Sequence, residues 1–89
     1  MMLHPFLFAP DGTGISFSGI LYPDAAPEVR IFVLKWNDGR DTFDTIELCL
    51  PSGKVRHVTG FTEEEAGRCV RRILKLKDVI WDTAETASF

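Results

Sequence analysis

The sequence predicts an α+β fold: an antiparallel meander of four strands, five if the C-terminal segment also pairs, with one amphipathic C-terminal helix packed on one face. Three observations lead there. Residues 62–77 place Ala66, Cys69, Val70, Ile73, Leu74 and Leu76 on one side of a helix turning about 100° per residue, and Arg68, Arg71, Arg72 and Lys75 on the other. Residues 29–36 are apolar on both parities, Val29, Ile31 and Val33 against Phe32, Leu34 and Trp36, as in a central strand. Turn clusters at 37–40 and 51–53 separate that segment from two further stretches of strand character.

Taken in order, residues 1–9 form an apolar arm interrupted by His4 and Pro5, and residues 10–14 are dense in turn formers. Residues 15–22 read as the first strand, ended by the Pro-rich segment 23–27. The second strand, 29–36, leads through Asn37, Asp38, Gly39 and Arg40, where Asn and Gly suit the positive φ of a tight hairpin. The third spans 42–50, with Ile46, Leu48 and Leu50 on one face and Phe43, Thr45, Glu47 and Cys49 on the other. After Pro51, Ser52 and Gly53, residues 54–59 make a short polar strand suited to a sheet edge.

Thr62 and Glu65 form a capping box for the helix at 62–76, and Glu63, Glu64 and Glu65 at its start complement the helix dipole, as do Lys75 and Lys77 at its end. Val70, Ile73 and Leu74 are the expected docking residues. Residues 78–82 read as a short extra strand or an extended apolar arm, and 83–89 as a tail.

Eighty-nine residues with 45% hydrophobic and 26% charged side chains describe one small globular domain rather than a disordered chain. The net charge of −3 is unevenly spread: residues 1–67 carry −5, residues 68–77 carry +5 and residues 78–89 carry −3. Two cysteines, Cys49 and Cys69, lie in apolar runs and read as small buried hydrophobes of a reducing compartment. The apolar opening lacks a basic flank and is too short to span a bilayer, so the expected location is the cytoplasm, away from membranes.

No spacing supports catalysis, a cofactor or a metal. His4, His57, Cys49 and Cys69 show no metal-ligand pattern, and Gly12 and Gly14 precede a strand rather than open a helix. Asp38, Asp41 and Asp44 cluster around a hairpin without the order of a calcium loop, and read as solvated charges. Either cysteine with His57 is the one nucleophile and base combination, and both cysteines are expected to be buried.

The remaining candidates are surfaces. The helix covers one sheet face, so Phe32, Leu34 and Trp36 are expected to be covered by the arm at 3–8, by residues 79–81, by another protein or by a second copy of this chain. The stripe of Arg68, Arg71, Arg72 and Lys75, with Lys54 and Arg56 nearby in sequence, suits carboxylates or phosphates; the plainer expectation is a solvated helix face on which Glu64 and Arg68 form an i, i+4 pair. The expected function is a small non-enzymatic protein-binding or regulatory module, with a homodimer as one form of that contact. The alternative is a nucleic-acid backbone binder of weak sequence preference, because the helix offers no Asn, Gln or Ser beside its arginines to read bases.

Overall fold

The computed structural model describes residues 3–10, 12–22 and 26–87. Residues 1, 2, 11, 23–25, 88 and 89, which include part of the predicted Pro-rich turn and the end of the tail, lie outside the described residues. The chain runs β1 (Leu3–Phe8), β2 (Thr13–Ser18), β3 (Val29–Asn37), β4 (Thr42–Leu50), β5 (Lys54–Thr59), α1 (Glu63–Lys75) and α2 (Lys77–Ala87). The strands form one antiparallel sheet in the order β1-β2-β3-β4-β5. The class is α+β and the sheet a meander, as expected. Two details differ: the fifth strand comes from the N-terminal arm, and there are two helices rather than one.

The arm becomes a strand by pairing with β2, with a register shift between Pro5 and Leu7. A proline is tolerated there because β1 is an edge. β2 is shorter than the predicted 15–22 because Ser18 interrupts the ladder. Its fully buried hydroxyl accepts the Arg30 backbone N–H at 3.0 Å and donates to the Gly19 carbonyl at 2.8 Å, replacing a strand-to-strand bond. At the β3–β4 hairpin the positive φ falls on Asp41 (53°) and not on Asn37 or Gly39. Asn37 instead accepts the Arg40 N–H through its side chain at 3.2 Å.

α1 begins with the predicted capping box. The Glu65 N–H donates to Thr62 Oγ1 at 3.2 Å, and the Thr62 N–H donates to Glu65 Oε1 at 3.0 Å. Gly60, just before it, has φ +86°, and a Cβ there would strike the Asp44 and Arg40 side chains. α2 replaces both the extra strand or extended arm expected at 78–82 and most of the tail expected at 83–89. Ile80 and Ala84, four apart, are both buried, and Trp81 Nε1 donates to Glu85 Oε1 one turn on at 3.0 Å.

The core lies on one side of the sheet. Ile15 and Phe17 of β2, Val29, Ile31 and Val33 of β3, and Ile46, Leu48 and Leu50 of β4 meet Ala66 and Ile73 of α1 and Ile80 and Ala84 of α2. Of the predicted docking residues Ile73 is fully buried, while Val70 and Leu74 are half-buried against the same cluster. Both helices therefore cover the same face. β1 widens the sheet without covering the other.

Candidate interaction surfaces

The uncovered face is built by strand parity. On β3 the residues alternating with the buried valines and isoleucine are Arg30, Phe32, Leu34 and Trp36, opposite Cys49, Glu47, Thr45 and Phe43 of β4. Leu34 keeps 37% of its surface exposed, Trp36 45% and Phe43 49%. Phe8 of β1 is 76% exposed and lies across Gly14, whose missing side chain leaves room for the ring. Trp36 and Phe43 meet edge to face with centroids 5.1 Å apart, and the Trp36 indole N–H donates to Asp38 at 2.7 Å. One end of the open face is thus a fixed apolar and aromatic patch. The residues predicted from sequence, Phe32, Leu34 and Trp36, share this face, with Phe32 the most enclosed of them.

The other end is charged. Arg30 Nε lies 3.1 Å from Glu28, and Glu47 Oε2 lies 3.7 Å from Arg30 and 3.8 Å from Arg56. Arg56, expected to extend the helix stripe, is held instead on the open face by Glu47. Lys54 pairs with Cys49, the register partner of Arg30, and shares that parity. Cys49 is buried as expected, and burial, with Glu28 nearby, pushes its thiol above the ordinary range. Cys69 is only half-buried. His57 bonds Thr59 at 2.6 Å on the exposed strand β5.

The four stripe cations of α1 are all exposed, and among the described residues none makes an ion pair within 4.0 Å, including the expected Glu64–Arg68 pair. The stripe does not act as one surface. Arg68 and Arg72, with Glu65, Cys69 and Phe61, line a cleft of about 220 Å³ completed by Thr13 of β2 and Lys35 of β3. Arg71 lies on the other flank, in an apolar groove of about 620 Å³ between α1 and β5 lined by Val55, Val58, Ala66 and Val70. Lys75 lines neither.

No family model, curated protein or solved structure matches this chain. Its function has to be read from the chemistry of these surfaces alone. The hairpin acids do not form one cluster: Asp44 turns inward to Arg40 and to Asn37 Nδ2 at 3.2 Å, while Asp38 holds Trp36. Among the described residues no group of three His, Cys, Asp or Glu is placed to hold a metal, and no helix is long and apolar enough to cross a membrane.

Sequence reasoning missed Lys35, Phe43 and Phe8 as surface residues. Lys35 follows Val29, Ile31 and Val33 on their parity, so it had to fall at the rim of the covered face. Phe43 was legible by counting from the hairpin, which sets it opposite Trp36. Phe8 was not, because nothing local announced that the arm would pair.

Proposed function

We propose that the protein is a small non-enzymatic protein-binding module whose contact surface is the open sheet face, and that its partner there is a second copy of the chain. The observation that carries this reading is the exposed apolar patch of Phe8, Leu34, Trp36 and Phe43, on a face that neither helix reaches. Contiguous apolar patches on soluble domains mark contact sites. The charged end suits a like partner: Glu28 and Glu47 lie among Arg30, Arg56 and Lys54, so two such faces turned about a two-fold can set cation against carboxylate. Stacked sheets about 10 Å apart provide the geometry.

Magnitudes make this a weak dimer. Fully covering one such side chain stabilises by about 1.5–3 kcal/mol, so the partly exposed patches of two copies supply roughly 6–12 kcal/mol. Association costs about 4–15 kcal/mol in lost rigid-body freedom. Sedimentation velocity across a wide concentration range is the test. The mass is expected to rise toward twice the chain's at high concentration, and Trp36→Glu, at an exposed site, is expected to stay monomeric with an unchanged far-UV spectrum. A wild-type chain that remains monomeric throughout would sink the reading.

A further inference from the structure

The cleft between α1 and the β2–β3 end of the sheet is a second site, with a chemistry unlike that of the open face. Three cations from two elements converge on it: Lys35 of β3, and Arg68 and Arg72 one turn apart on α1. Thr13 sits directly beside Lys35 in the β2–β3 register. Lys35 is the unexpected member. It continues the row of Val29, Ile31 and Val33 that fills the core, and it meets the flank of α1 where the core ends.

None of the three cations has an ion-pair partner within 4.0 Å among the described residues. Two carboxylates lie near these cations, and each also serves another partner. Asp44, opposite Lys35 in register, bonds Arg40 and Asn37. Glu65 lines the cleft and feels Lys35 and Arg68 without pairing to either within 4.0 Å, while its Oε1 accepts the Thr62 N–H at 3.0 Å as half of the capping box. Three cations and one carboxylate leave the lining at +2. Like charges gathered in a cleft repel one another and focus a positive potential that an entering anion relieves.

We infer that this cleft binds the phosphoryl group of a small phosphate monoester, held by Arg68, Arg72 and Lys35. The charge fits, since a phosphate monoester carries about −1.5 to −2 near neutral pH. The donor set fits, since each guanidinium presents a planar fork to phosphate oxygens while lysine acts as a point charge. The size fits a phosphoryl group with a small substituent, for which about 220 Å³ is sufficient. Arg71, on the opposite flank of the same helix, takes no part.

The experiment is a titration of the ¹⁵N-labelled full chain with inorganic phosphate and with glycerol 2-phosphate, against acetate at matched ionic strength and a single-stranded oligonucleotide. Amide shifts are expected at Thr13, Lys35 and the Arg68–Arg72 turn with both phosphates and not with acetate. Lys35→Gln and Arg72→Gln are each expected to weaken binding about tenfold or more, the loss of one charge-assisted contact, and Arg71→Gln to leave it unchanged. The wild-type shifts test the site even if a variant misfolds. Three results would overturn the proposal: no cleft shifts with either phosphate, equal weakening by Arg71→Gln, or a response to the oligonucleotide alone.

Discussion

Within β3, residues one apart meet opposite fates: Val29, Ile31 and Val33 are enclosed by two helices, while Leu34 and Trp36 stand exposed on the reverse of the same strand. The two sets are equally apolar, so the difference does not lie in the strand. It lies in the connection after it. α2 starts at Lys77, with Leu76 alone separating it from α1, and so short a joint cannot carry the chain around the sheet edge. Both helices are confined to the first face. A strand apolar on both parities therefore states a demand for cover on both sides, and the supply is set by where the later elements can reach.

The largest effect expected of this asymmetry is at its covered side. Ile73 is fully buried between α1 and the sheet, so Ile73→Ala should cost about 2–4 kcal/mol in urea unfolding, and Ile80→Ala on α2 should fall in the same range. An Ile80→Ala variant as stable as wild type would mean that α2 does not share the core, and the account of why both helices lie together would fail with it. Next comes Asp44, which faces the covered side and gathers Arg40 and Asn37 beneath Gly60. Asp44→Ala removes the acceptor for both and should cost about 1–2 kcal/mol by thermal unfolding, at the low end because Arg40 can turn to water.

Much of the covered side was legible in sequence, and the reason is local. β3, β4 and β5 are bounded by turn residues that act where they stand, and α1 carries its own start signal in Thr62 and Glu65. β1 and α2 were not legible because their signals are tertiary. The arm has no alternation strong enough to announce a strand, and becomes one only when β2 offers its edge. Val79, Ile80 and Trp81 have the composition of a strand, but Ile80 and Ala84 are buried at helical spacing once the core of β2 and β3 lies beneath them. The basic stripe was visible as a helix face. Its division between a cleft and a groove was not, because Lys35 and Val55 reach α1 only through the fold.

A smaller effect tests how α1 is fastened to the covered face. Thr62→Ala removes the N-cap acceptor and should cost about 1 kcal/mol. The reciprocal partner gives this a pH signature. Hydrogen bonds from the Thr62 backbone and side chain, helped by Lys35 and Arg68, hold the Glu65 carboxyl below its ordinary range. A carboxyl lowered in the folded state stabilises fully above its unfolded pKa of about 4.3, and that contribution disappears as the pH falls through the lowered folded value. Glu65→Gln keeps an acceptor at the same place but not the charge. The stability gap between wild type and Glu65→Gln should therefore be open at neutral pH and close on acidification, and a gap independent of pH would show that the charge contributes nothing.

The smallest effect sharpens the comparison most. In dilute solution Leu34→Ala should change stability by less than about 1 kcal/mol, since the removed atoms were already partly in water. Concentration should change that. If the open face is covered by a second copy, association stabilises only the folded chain, and wild type gains stability with concentration while the variant gains less. The cost of Leu34→Ala should then grow from near zero toward the core values as the protein is concentrated, whereas the cost of Ile73→Ala stays nearly level. A Leu34→Ala penalty that is large even at high dilution would mean that the open face is not open in the monomer. A penalty that stays small at every concentration would leave the second copy without energetic support, and Leu34 would be an idle residue on a merely solvated face.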